Sequence, residues 1–157
     1  MSSQSIFSQG RILSVAYLIV IVATISCAHG KSETTGNLDG EKELLVFIGT
    51  YTRTNSEGIY SYRMDLKSGA LERIAVASGI ENPSFLAIHP NQRYLYSVSE
   101  TVEFNGQKTG SVWAFTIDVP TGHLSFLNFQ PSAGSVPCHL VVDSAGRNLL
   151  LANYGSG

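Results

Sequence analysis

Cysteine is scarce in this sequence. Only Cys27 and Cys138 occur in 157 residues. Cys27 falls in an expected leader, so Cys138 stands alone, cannot form an intrachain disulfide and reads as a buried strand thiol. Charge is scarce too. Asp, Glu, Lys and Arg make up 14% of the chain, the formal net charge is −2, and no stretch concentrates Lys and Arg. That excludes a nucleic-acid binder held by charge. Also missing are HExxH, any Cys/His zinc spacing, a GxSxG elbow and a phosphate-binding glycine loop. No metal and no intrinsic cofactor is therefore expected. Long charged helical stretches are rare. What is present is 43% apolar residues, seven Tyr, seven Phe, one Trp and fifteen Gly. This excludes a disordered chain and points to many short strands joined by tight turns. The length suits one domain at most.

From Ile12 to Gly30 there is no Asp, Glu, Lys or Arg, and Val15–Ile25 is almost wholly apolar. Arg11 precedes this run and the small residues Ser26, Cys27, Ala28 and Gly30 follow it. The order is that of an export signal over residues 1–30, and the apolar core is short for a membrane span of about 20 residues. Thr24-Ile25-Ser26-Cys27 resembles a bacterial lipobox, in which the Cys is lipidated and tethers the mature protein to a membrane. Thr24 departs from that pattern, and ordinary cleavage after Ala28 or Gly30 is the other reading. Both place the mature protein outside the cytoplasm, either periplasmic and membrane-anchored or secreted. Residues 31–43 are polar and Gly-containing and read as a flexible linker.

The remainder repeats. Pro83–Leu95 lines up with Pro137–Leu149 at a shift of 54, and Ile59–Leu71 with Val112–Leu124 at a shift of 53. Each unit reads as four strands, termed a to d. In the complete unit they are Ser84–His89, Tyr94–Ser99, Ser111–Ile117 and Leu124–Phe129. The c–d turns carry Asp65 with Gly69 and Asp118 with Gly122, where Asp accepts backbone hydrogen bonds and Gly supplies a positive φ. Leu44–Ile48 and Leu149–Ala152 are continuous apolar runs, as in strands covered on both faces. A four-strand unit of this length, repeated and stacked around an axis, is a β-propeller blade. The predicted class is all-β, built of four-stranded antiparallel blades. Residues 44–77 supply strands b, c and d, 84–129 a whole blade, and 138–157 the start of the next. That is an incomplete arc of about two and a half blades, and such an arc leaves edges open. The expectation is an N-terminal fragment of a longer protein, with the remaining C-terminal blades as its partner.

Phe47-Ile48-Gly49-Thr50-Tyr51-Thr52, Gly58-Ile59-Tyr60, Asn82–Ala87, Pro137–Leu140 and Ala152–Gly157 together resemble the lactonase family of seven-bladed propellers. This family is of the 6-phosphogluconolactonase type and also contains fungal carboxymuconate cyclases. The resemblance covers about residues 44–157. It implies seven blades, roughly twice this length, and hydrolysis of a sugar lactone such as 6-phosphogluconolactone. Two alternatives stand beside an exported lactonase: a non-catalytic extracytoplasmic binding propeller, and a cyclase that lactonises a muconate.

In an up-and-down blade the d–a and b–c connections share one rim. These contain Tyr51-Thr52-Arg53, Glu81-Asn82-Pro83, Glu100-Thr101, Val136–His139 and Asn153-Tyr154. Lactone opening needs a base for water, an oxyanion donor and positive groups for the substrate's acidic end. His139 is the candidate base, because an imidazole gains and loses protons near neutrality. The resemblance likewise implies a His in this Pro-Cys-His segment. Glu100 is expected to orient His139 or to act as a base itself. Arg53 is a candidate for a substrate carboxylate or phosphate, and Tyr51, Asn153 and Tyr154 for lining the pocket. The family's later arginines and glutamate lie beyond Gly157, so this piece alone is expected to be inactive. His89 and His123 fall on the opposite face.

Overall fold

A computed structural model describes residues 20–21 and 42–157 of the chain. Among the described residues ten strands appear: β1 (Val20–Ile21), β2 (Glu43–Ile48), β3 (Gly58–Asp65), β4 (Leu71–Ser78), β5 (Leu86–Ile88), β6 (Tyr94–Ser99), β7 (Ser111–Asp118), β8 (His123–Pro131), β9 (Pro137–Val142) and β10 (Leu149–Asn153). They form three antiparallel sheets in the orders β1-β2-β3-β4, β5-β6-β7-β8 and β10-β9. The second sheet is a complete up-and-down blade. The all-β, partial-propeller expectation holds, and the four strands of the middle unit end within two residues of their predicted bounds.

The c–d turns form as their sequences dictate. Asp65 Oδ1 accepts the Ser68 N–H at 2.6 Å, and Asp118 Oδ2 accepts the Thr121 hydroxyl at 2.6 Å. Gly69 and Gly122 follow at φ +73° and +77°. The a–b turns are also alike. His89 Nδ1 accepts the Asn91 N–H at 3.1 Å, and Asp143 Oδ1 accepts the Arg147 N–H at 2.7 Å. His89 Nε2 then donates to the Gly146 carbonyl at 2.9 Å, from the second blade to the third. These two bonds assign the neutral tautomer with the proton on Nε2.

The core lies between the first two sheets. Leu45, Phe47, Ile59, Ile80, Leu86, Leu95, Phe115 and Ile117 are buried there, with Ile74, Trp113 and Leu124 packed against them. Each such side chain contributes about 1.5–3 kcal/mol when taken out of water. Face-to-face stacking explains why β2 is apolar at every position from Leu44 to Ile48, all of them buried. The equivalent run in β10 is only half covered, and Leu150 is exposed. The aromatic side of β8 is open as well, with Phe126, Leu127 and Phe129 exposed.

Several expectations need correction. The first sheet does have a strand in position a, because Val20–Ile21 pairs antiparallel with Phe47–Ile48. An open strand edge presents unpaired N–H and C=O groups, and any apolar backbone can fill them. Strand a of the middle unit is shorter than Ser84–His89, because Pro83 has no N–H to give and Ser84 N–H turns to the Asn82 carbonyl at 2.7 Å. Cys138 is half-buried rather than buried, since nothing among the described residues covers the outer side of β9. Apart from Val20–Ile21, the export signal lies outside the described residues, as do Cys27 and most of the linker.

Candidate functional site

One glycine brings the two halves of the rim together. A Cβ on Gly49 would overlap the Pro83 carbonyl oxygen and meet Leu86 Cγ at 3.3 Å. Without it, the end of β2 approaches the d–a loop closely enough for two hydrogen bonds between loops. The Thr52 N–H donates to Asn82 Oδ1 at 3.1 Å, and the Asn82 N–H donates to Thr52 Oγ1 at 3.1 Å. Asn82 is fully buried and sits at φ +46°, a region Asn enters more readily than most residues. Its carbonyl accepts the Glu100 N–H at 3.0 Å, and its Nδ2 donates to the Glu100 carbonyl at 3.4 Å. The top of β6 is thereby fixed to the loops of both blades.

On this frame sit the side chains of the rim. Strand pairing sets Ile48 opposite Tyr60 and Ser97 opposite Trp113. Since Tyr60 and Trp113 are repeat equivalents, Tyr51 and Glu100 occupy matching positions above their b strands. Tyr154 is the third such position by the shift of 54. Tyr51 Oη donates to Glu100 Oε2 at 2.8 Å, and Ser84 Oγ donates to the same oxygen. Partial burial pushes the Tyr51 phenol above its ordinary pKa of 10.0, and the hydrogen bond and charge of Glu100 push the same way. His139 is exposed at the start of β9. Its ring packs on Phe85, its repeat equivalent, at 4.2 Å between centroids and 47° between planes.

The expected rim is therefore real, but its members are not all joined. No hydrogen bond links Glu100 to His139 among the described residues, and Glu100 Oε2 accepts from two hydroxyls. Arg53 is exposed and makes no ion pair among the described residues. Asn153 is half-buried; its Nδ2 donates to the Ser132 carbonyl at 3.2 Å, leaving its Oδ1 buried and unpartnered. Tyr154 is 83% exposed. Ser84 went unread in the sequence, and Asn82 was placed on the rim without a role. Ser84 aligns with Cys138, and that mismatch within a repeat was the available signal. Among the described residues no cluster of three His, Cys, Asp or Glu could hold a metal ion. A shallow groove at Arg93, Tyr94 and Asp118–Pro120 opens on the opposite rim, among the structural turns.

Comparison with known proteins gives a consistent picture. Residues 45–157 match the model of the family described as Lactonase, 7-bladed beta-propeller. A 6-phosphogluconolactonase of Bacillus subtilis is 41% identical over 111 residues, 71% of this chain and 30% of that protein. A crystal structure from Bacteroides uniformis superposes with a TM-score of 0.68 at 34% identity, covering 74% of this chain and 32% of that one. The periplasmic gluconolactonase of Pseudomonas aeruginosa gives a TM-score of 0.65 at 31% identity, covering 72% and 31%. The chain spans about 30% of the length of the curated relatives it matches.

Proposed function

The chain belongs to the lactonase family of seven-bladed β-propellers, and from that premise we propose that the whole protein is an exported hydrolase opening a sugar lactone to its acid. The observation that carries this reading is His139. The blade itself does not require an imidazole there, since the matching place in the preceding repeat holds Phe85. Yet His139 stands exposed at the start of an a strand, on the same rim as Glu100. In the proposed reaction His139 accepts a proton from water as its oxygen attacks the lactone carbonyl. The tetrahedral oxyanion then collapses, the ring C–O bond breaks, and the proton passes to the departing alkoxide. Glu100 supplies a second polar contact to the substrate. Oxyanion donors and the groups for a phosphate or carboxylate are assigned to later blades, so the 157-residue chain alone is proposed to be inactive. Export is supported by the uncharged stretch 12–30 and by the periplasmic description of the Pseudomonas relative.

The test uses the full-length protein with 6-phosphogluconolactone and with unphosphorylated gluconolactone. Wild type should exceed spontaneous hydrolysis, and His139→Ala should lose about a hundredfold or more of that excess. Wild-type rates equal to the spontaneous ones would remove the enzyme reading and leave a binding propeller. Lactone formation from a muconate would reverse the direction of the chemistry.

A further inference from the structure

We propose that Tyr51 and Ser84 are positioning residues, which together pin one oxygen of the Glu100 carboxylate and present the other to a hydroxyl of the substrate. This deepens the lactonase reading and rests on it. Oε2 of Glu100 accepts two O–H donors, one from each of two loops. Oε1 has no partner among the described residues, and it is not among the buried unsatisfied atoms, so solvent reaches it. Both donors are themselves fixed. Ser84 is buried, next to the Asn82 carbonyl that holds the Glu100 N–H. Tyr51 follows Gly49, whose lack of a side chain sets the approach of the loops. The raised pKa of Tyr51 keeps its phenol a donor across the neutral range.

Two further observations separate this from ordinary blade packing. The repeat equivalents of Glu100 and Ser84 are Tyr154 and Cys138, so the next blade stands without the acid and without the hydroxyl. Among the described residues no cation forms an ion pair with Glu100; the salt bridge there is Arg63 with Glu43, on the first sheet. A carboxylate with one oxygen held and the other open accepts a hydrogen bond from a neutral hydroxyl and disfavours a phosphate or carboxylate beside it. Oε1 therefore reads the polyol edge of a sugar lactone, and the anionic end lies elsewhere on the rim.

The experiment is a mutant cycle in the full-length protein with gluconolactone. Tyr51→Phe and Ser84→Ala should each lower kcat/KM about tenfold through misplacement of the carboxylate. Ser84→Thr, which keeps the hydroxyl, should restore most of the rate. In a Glu100→Gln background neither Tyr51→Phe nor Ser84→Ala should cost anything more. Equal losses in both backgrounds would show that the hydroxyls only pack, and would overturn the proposal. Wild-type turnover at the spontaneous rate would instead sink the lactonase reading, and a second measurement then decides. The side-chain carboxyl 13C resonance of Glu100 should move in Tyr51→Phe and in Ser84→Ala but hold in Ser84→Thr. A resonance unmoved in all three overturns the clamp whether or not turnover is seen.

Discussion

Leu95 is the place to test whether blade stacking holds this protein together. It lies in β6 with no exposed surface, in one buried cluster with Phe47 and Ile59 of the first sheet and Leu86 and Phe115 of its own. Replacing it with Ala removes three carbons from water-free surroundings. Two pleated sheets flank the gap, and neither can collapse into it without breaking its own ladder. The cost should fall in the middle of the range for such truncations, about 3–4 kcal/mol. With a urea slope of about 2–3 kcal/mol/M, that moves the unfolding midpoint of the full-length protein down by about 1–2 M. Leu71→Ala is the control, since Leu71 is 50% exposed on β4 and should cost less than about 0.5 kcal/mol. Coincident midpoints by circular dichroism and by fluorescence make the comparison valid. The repeat adds a second arm. Leu149, the equivalent of Leu95, is half-buried here, and in a chain carrying the following blades Leu149→Ala should cost about as much as Leu95→Ala. If Leu95→Ala and Leu71→Ala lower the midpoint equally, the stacked-sheet account of this fold is wrong.

Three further outcomes follow from local geometry. Gly49→Ala drives a methyl group into the Pro83 carbonyl; it should cost about 2 kcal/mol or more and depress the proposed lactonase activity with it, read by urea titration and initial rates. Val136 sits at φ +57°, where its repeat equivalent Asn82 sits at +46°; Val136→Asn should gain about 1 kcal/mol, and no gain in midpoint would show that the strain is absent. Asp143 is held below its ordinary pKa of 3.8, first by the Asn148 side chain and then by backbone N–H groups of the turn. A carboxylate with a depressed folded-state pKa stabilises above the unfolded value and loses that contribution as pH falls through the folded one. Asp143→Ala should therefore narrow its stability gap to wild type as pH drops below about 3.8, and a gap constant from pH 6 to pH 2 contradicts the assignment.

Much of this was legible in the residues because a repeat lets the chain be read against itself. The shift of 54 located β6 to the residue, and the Asp-to-Gly spacing located both c–d turns, since only certain residues satisfy those dihedrals. What stayed hidden was contact between units. Nothing in the local pattern says that His89 donates across to Gly146, or that Tyr51 donates to Glu100. Those bonds depend on the twist and separation of adjacent sheets, which strand periodicity does not encode. The pairing of Glu100 with His139 was inferred from a shared rim. The rim is shared, but the a-strand position of His139 puts its ring against Phe85, while Glu100 above strand b turns back toward the first blade.

The two faces of the arc obey different rules, and that contrast supports the proposed site. On the turn face, equivalent positions carry like residues or like solutions. Asp65 and Asp118 cap their turns, Gly69 and Gly122 take the same positive φ, and Gln92 and Gly146 share φ values of +61° and +67°. Backbone geometry constrains them, so the repeat is kept. On the other rim the backbone repeats and the side chains diverge: Tyr51, Glu100 and Tyr154 in one place, Phe85 and His139 in another, Ser84 and Cys138 in a third. A fold that needed these side chains for packing would repeat them as it repeats its turns. Their divergence on an unchanged scaffold is what a site requires, because binding one asymmetric substrate within a pseudosymmetric ring demands that each blade offer it a different group.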